Sequence, residues 1–222
     1  MTTTIDHFMY AVADLDAGMR WAAEVFDAAP VYGGAHVGLG THNALLSLGD
    51  TYLEIIAADP DQTSTPGSLG ARFASLSEGG LVTWAACGDL RSIARGLEAL
   101  GIACAGPTRT ERRTAQGELL VWELLFPRGH GFGGRCPFFI DWMDCAHPST
   151  TTPVGGRFAG MRITLPEADT LRAALSAVDV GALGGDLEIS AGDPAMTVRI
   201  ECAAGIVELA STPETLDLSF GA

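Results

Sequence analysis

Residues 6–32 read DHFMYAVADLDAGMRWAAEVFDAAPVY. An apolar run carrying His7 leads into an acidic corner, and an amphipathic pattern of about three helical turns follows. Asp14 and Asp16 are placed to cap that helix. The pattern returns at residues 81–106, LVTWAACGDLRSIARGLEALGIACAG, with Asp89 as the cap. It returns again at residues 158–183, FAGMRITLPEADTLRAALSAVDVGAL, where Pro166, Glu167 and Asp169 open the helix. Three strand–helix units in one chain mean that a supersecondary element is used repeatedly.

Strand signals follow each helix. Residues 41–58, THNALLSLGDTYLEIIAA, are two runs about a Gly-Asp turn, and residues 195–211, AMTVRIECAAGIVELAS, have nearly the same form. Superimposing them sets Glu208 opposite Glu54. The middle unit has GELLVWELLFP (117–127), the loop RGHGFGGR (128–135) and CPFFIDWMD (136–144). Each unit therefore reads as strand, helix and three antiparallel strands, βαβββ. Residues 58–68 and 147–156 are rich in Pro, Ser, Thr and Gly and read as linkers. The expected organisation is a first module over 4–60, a second over 80–147 and a third, βαβββ-like, over 157–212.

Composition narrows the function. The 222 residues carry a net charge of −14, with 47% hydrophobic and 18% charged residues, which suits a globular chain that buries a core. Such acidity repels phosphate backbones, so nucleic acid is not an expected partner. All 13 basic residues are Arg, which excludes Schiff-base lysine chemistry. The five cysteines form no CxxC pair, and the opening MTTTIDHF has neither a basic nor an apolar leader pattern. A cytoplasmic protein without a membrane span is expected.

His7 and Glu54 are metal-ligand types set in apolar strands, where a titratable group needs a partner. The glycine-rich run 33–43, GGAHVGLGTHN, offers His36, His42 and Asn43. It reads either as a plain hairpin or as a cavity wall with His36 as proton carrier. Arg109, Arg112, Arg113, Arg128 and Arg135 make the one locally basic stretch, either solvated charges or an anion clamp. No phosphate-binding loop or nucleophile elbow is present.

The recurring βαβββ unit, with His on its first strand and Glu on its fourth, resembles the vicinal oxygen chelate superfamily, in its glyoxalase-like branch. The resemblance is carried by residues 5–60, above all GGAHVGLGTHNALLSLGD followed by YLEII, and by PFFIDWMDCAHPS (137–149). It implies an α+β fold in which paired modules form a half-open, U-shaped mixed sheet flanked by helices. The third module would pack on that cup or complete a homodimer. The resemblance further implies a divalent ion (Zn, Mn, Fe, Ni or Mg) held by His7, Glu54 and either Asp141 or His147. Glu54 and His36 would be catalytic. Asn43, Trp84, Trp122, Arg128, Phe138 and Trp142 would contact a small oxygenated substrate, carboxylated or carbonyl-bearing.

The implied chemistry is of isomerase, lyase or hydrolase type through an oxyanion or enolate. One alternative is a metal-free binding protein that sequesters antibiotics, with no cofactor. Another is a ring-cleaving dioxygenase-like enzyme. The second module departs from the family pattern. Seven residues before Asp14 stands His7, but seven before Asp89 stands Val82, which cannot bind a metal.

Overall fold

The computed structural model describes residues 2–113, 119–181, 185–216 and 218. The first unit comprises β1 (Thr4–Ala11), α1 (Leu15–Phe26), β2 (Val31–His36), β3 (Thr41–Ser47) and β4 (Tyr52–Ala58). A short helix, α2 (Leu69–Ala74), leads to the second: β5 (Gly80–Cys87), α3 (Leu90–Glu98), β6 (Ala103–Arg113), β7 (Leu119–Arg128) and β8 (Phe138–Asp141). These strands form one eight-stranded sheet in the order β2-β3-β4-β1-β5-β8-β7-β6. The two units meet where β1 and β5 pair antiparallel, and in each the last strand runs parallel to the first. The sheet curls into a half-barrel with α1 and α3 outside, the architecture that the family resemblance implied.

Local chemistry sets the helix starts. The Asp14 carboxylate accepts from the Ala17 amide at 2.7 Å, and Asp89 accepts from the amides of Arg91 and Ser92. Each bond satisfies an otherwise unpaired N–H of a first turn. Leu15, Gly18, Ala22 and Phe26 make the buried face of α1. A Cβ on Gly18 would lie 2.8 Å from Val12 Cγ2, so glycine is what lets the helix sit this close to the sheet.

The sheet separates two apolar clusters. On the helix side lie Phe8, Leu53, Ile55, Trp84 and Phe139, with α1 and α3 packed over them. On the concave side lie Met9, Tyr52, Ile56, Val82, Trp122, Phe138, Ile140 and Trp142. Burying a large apolar side chain contributes roughly 1.5–3 kcal/mol, so both faces hold the sheet in place.

The third unit, β9 (Arg157–Thr164), α4 (Ala168–Ala177), β10 (Leu187–Ser190), β11 (Ala195–Cys202) and β12 (Gly205–Ala210), keeps the expected element order but not the expected strand arrangement. Its sheet runs β10-β9-β11-β12, so the first strand lies inside, between β10 and β11. In the first unit β4 is bonded to β1; here β12 pairs with β11 alone among the described residues. Glu208 therefore faces Arg199 on β11 and is not the counterpart of Glu54. Alternating apolar residues fix which face of a strand is buried; they do not fix which strand lies beside which.

This second sheet covers the helix side of the first. The Phe158 ring lies 5.0 Å from Phe8, and Met161, Ile163, Val198 and Ile200 join the cluster containing Phe8 and Trp84. The Thr3 hydroxyl donates to Val178 O at 2.6 Å, and Ser47 bridges to Val154. A last turn of helix, α5 (Pro213–Leu216), lies against β5, and Leu218 reaches the concave cluster. No helix among the described residues is long and apolar enough to cross a membrane.

Candidate functional site

The site begins with an irregularity in β1. Ile5 pairs with Ala86 and His7 with the adjacent Ala85, so Asp6 is an extra residue in a β-bulge. Ile5 and Phe8 point to the helix-side core, while Asp6 and His7 both turn away from it. A bulge re-aims side chains in this way, and bulges are common beside active sites. Asp6 Oδ1 lies 2.6 Å from His7 Nδ1, and Asp6 Oδ2 accepts from Trp142 Nε1 at 3.0 Å. His147 Nε2 approaches the same Oδ2 at 3.2 Å, and its Nδ1 meets Ser149 Oγ at 2.7 Å.

With Nδ1 held by Asp6, His7 presents Nε2 to Glu54, 3.4 Å from Oε2. The ring stacks on Tyr52 at 4.5 Å and meets the edge of Phe138 at 5.4 Å. His7 and Glu54 are only 3% and 6% exposed, so neither could be charged without a partner. Burial pulls His7 toward the neutral form, but its bonds to Asp6 and Glu54 outweigh this and hold its pKa at about 9. Burial likewise works against both carboxylates. His147 and His7 bring Asp6 down to about 2, and His7, His36 and Asn43 bring Glu54 down to about 2.

The far side of Glu54 is built by β2 and β3. Asn43 Nδ2 donates to Glu54 Oε1 at 2.6 Å and lies 3.3 Å from His36 Nε2. His36 Nε2 is itself 3.6 Å from Glu54 Oε1, and its Nδ1 lies 2.9 Å from Thr41 Oγ1. Because the Asn43 amide donates, His36 Nε2 accepts, and its proton sits on Nδ1 toward Thr41. Burial lowers the His36 pKa below its usual value despite Glu54 nearby, which favours an unprotonated Nε2 that can accept from Asn43. Across the cup, Arg112 on β6 donates from Nη1 to Asn43 Oδ1 at 3.3 Å, with its guanidinium 5.8 Å from the Trp122 ring centre.

The sequence expectations divide here. His7, Glu54, His36, Asn43, Trp122, Phe138 and Trp142 are gathered on the concave side. Trp84 is not: it lies fully buried on the helix side and donates from Nε1 to Arg135 O at 3.0 Å. Trp84 lies two residues after the concave Val82 yet on the other face, because the β1–β5 ladder shifts register between Met9, opposite Thr83, and Tyr10, opposite Leu81. Asp141 also faces away, because Ile140 and Trp142 on either side of it belong to the concave cluster. Its Oδ1 accepts from the Met143 amide at 2.8 Å. His147 supports Asp6 from behind and does not reach Glu54. Arg128 ends β7, roughly 20 Å along the strand from Trp122.

Sequence reasoning missed Asp6 as a site residue, along with Tyr52, and named Arg112 only as part of a basic stretch. Strict alternation places Asp6 opposite His7, and only the bulge brings the two together. The signal for Arg112 was the glycine pair in β2. A Cβ on Gly33 would lie 2.3 Å from Asn43 Oδ1, and one on Gly34 (φ +136°) would lie 2.7 Å from Arg112 Cδ.

A divalent ion can be tested against these donors. His7 Nε2, His36 Nε2 and the Glu54 carboxylate are suitable ligand types, and the Asp6–His7 bond is the outer support that metal-bound histidines commonly have. The two buried carboxylates flanking His7 favour positive charge at this point. The second unit adds no ligand: Val82, Phe138 and Ile140 occupy its concave face. Among the described residues, no three His, Cys, Asp or Glu side chains are spaced as a ready coordination set.

A family model described as a glyoxalase-like domain matches residues 5–178. No curated protein matches the sequence. Among solved structures, a hypothetical protein from Staphylococcus aureus is 16% identical with a TM-score of 0.63, covering 94% of this chain and 85% of that one. A methylmalonyl-CoA epimerase in complex with methylmalonyl-CoA and NH4+ is 17% identical with a TM-score of 0.50, covering 67% of this chain and 100% of that one. A hypothetical protein from Bacillus halodurans is 14% identical with a TM-score of 0.50, covering 66% and 99%. At these identities the likeness is one of fold. The family match spans both units of the cup and continues through α4, and the chain belongs to the glyoxalase-like domain family of the vicinal oxygen chelate superfamily.

Proposed function

We propose that the cup is the active site of an enzyme that moves a proton on a small oxygenated substrate, with a divalent ion held by His7 and Glu54 and with His36 as the proton acceptor. The observation that carries this is the buried line Asp6–His7–Glu54, which fixes the imidazole and turns Nε2 toward the carboxylate. When bound, the ion supplies a Lewis-acid charge to adjacent substrate oxygens.

The chain's own residues do the rest. His36 keeps Nε2 unprotonated beside Glu54 and, on exchanging its contact with the Asn43 amide for substrate, accepts a proton from the carbon next to a carbonyl. Asn43 holds Glu54 in place from the opposite side to His7. Trp122, Trp142 and Phe138 exclude water and so strengthen every charge interaction within the cup. Isomerase and lyase outcomes share this first step, and a hydrolase outcome would use the same site to stabilise an oxyanion.

Metal analysis of purified protein, beside His7→Ala and Glu54→Ala, is the test. Stoichiometric metal that drops in both variants is expected, and unchanged metal content with unchanged ligand affinity sinks the reading. A metal-free binding protein is the second reading, favoured by the apolar Val82, Phe138 and Ile140 where a second ligand pair would stand. Quenching of tryptophan fluorescence by aromatic antibiotics after chelator treatment supports it, and metal retained through dialysis counts against it.

A further inference from the structure

Among the described residues, Arg112 is a cation without a counter-ion in the cup. It is half-buried, and among the described residues no carboxylate lies within ion-pairing distance of it. Among the described residues its one hydrogen bond is to the neutral Asn43 amide, and its buried Nε has no partner. Burial pulls its pKa below the usual arginine value, although Glu54 and the two tyrosines Tyr52 and Tyr32 act in the opposite sense. An arginine that serves only stability would be expected to have a carboxylate or to lie in water.

The surroundings are shaped to hold it where it is. Trp122 supports one face of the guanidinium, and Gly33 and Gly34 leave room for Asn43 and for the arginine stem. Asn43 bridges Arg112 to Glu54, so an anion on the guanidinium would be set one amide's width from the Glu54–His36 pair.

We infer that Arg112 is the subsite for a carboxylate of the substrate, which makes the ligand a small organic anion. The inference deepens the function proposed above and rests on the same cup, but it does not depend on a metal. Arginine presents parallel N–H donors that match the two oxygens of a carboxylate, and a charge-assisted pair out of water is stronger than a neutral one. A carboxylate placed here leaves the adjacent carbon facing His36 and Glu54. The two tyrosines, Tyr32 partly exposed and Tyr52 buried, bound the same space.

The experiment compares propionate with propionamide, a pair equal in shape and different in charge, neither of which chelates metals well. Binding is followed through tryptophan fluorescence, with Trp122 directly beneath the guanidinium, in protein stripped of metal and desalted. Propionate is expected to bind about tenfold more tightly than propionamide, with the difference abolished in Arg112→Met and partly kept in Arg112→Lys. Equal binding of the two ligands by the wild-type protein overturns the inference without recourse to any variant. So does a charge preference that survives in a folded Arg112→Met protein. Metal content is measured on the same samples as isolated, so that loss of the metal reading is scored apart from loss of the anion subsite.

Discussion

Asp6 and His7 are neighbours in sequence, yet their side chains meet at 2.6 Å, because Asp6 is the extra residue of a bulge. In a regular strand adjacent side chains point to opposite faces. The bulge gives the imidazole a fixed orientation with Nε2 toward Glu54. Asp6→Asn preserves shape and an acceptor oxygen but removes the charge that stabilises the His7 imidazolium. We expect a loss of stability on the order of 1–3 kcal/mol by urea unfolding, a lower His7 pKa by NMR titration, and metal affinity about ten- to a hundredfold weaker.

The same triad predicts a stability plateau with two limbs in metal-free protein. Asp6 and Glu54 have folded-state pKa values of about 2, below their ordinary 3.8 and 4.5. Their contribution is complete above those ordinary values and is lost as pH falls toward 2. His7 has a folded-state pKa of about 9, above its ordinary 6.5, so its contribution is complete below 6.5 and is lost as pH rises through 9. The urea midpoint should therefore be highest between about pH 4.5 and 6.5 and fall on both sides. His7→Gln should flatten the alkaline limb, and an alkaline limb identical to that of the wild type would contradict the assignment.

Trp84 and Trp142 separate the two faces of the sheet. Trp84 is fully buried on the helix side, so Trp84→Ala should cost about 3–5 kcal/mol, and Trp84→Phe should cost less while losing the indole donor to Arg135 O. In the stable Trp84→Phe protein, cup ligands should bind as in the wild type. Trp142→Phe removes the donor to Asp6 and should change ligand or metal affinity at a small cost in stability. Parallel denaturation and binding curves for the two Phe variants would tell the faces apart.

These contrasts mark how far the sequence could be read. Apolar alternation, caps at Asp14 and Asp89 and the recurrence of the unit were enough for the strand–helix units, while the half-barrel and the meeting of His7 with Glu54 were implied by the family resemblance. They could not reveal the register shifts between β1 and β5, since alternation assumes a regular ladder, and so Asp6 was missed and Trp84 was set on the wrong face. Glu208 sits at the repeat equivalent of Glu54 but was expected to be structural or at the surface, as it is. Its strand carries the same alternation as β4, but its neighbours come from a different strand order. Arg112 reaches Asn43 across 69 positions of sequence, and long-range pairs of that kind leave no local pattern.

The way the third unit is attached gives a final prediction. It contributes Met161, Ile163, Val198 and Ile200 to the cluster that also holds Phe8 and Trp84, and Phe158 packs on Phe8. Removing residues 157–222 would uncover that side of the core, an apolar area larger than soluble proteins commonly leave exposed. The shortened chain, residues 1–156, should therefore bind a hydrophobic dye, elute as aggregate and give poorly dispersed amide signals. Restoring the second sheet as a separate polypeptide should not recover the fold efficiently, because the Thr3–Val178 and Phe158–Leu48 ties must form together with the packing. A monodisperse, cooperatively unfolding 1–156 fragment would instead make the eight-stranded cup an independent domain. The third unit would then be an addition whose removal leaves the Asp6–His7–Glu54 line intact.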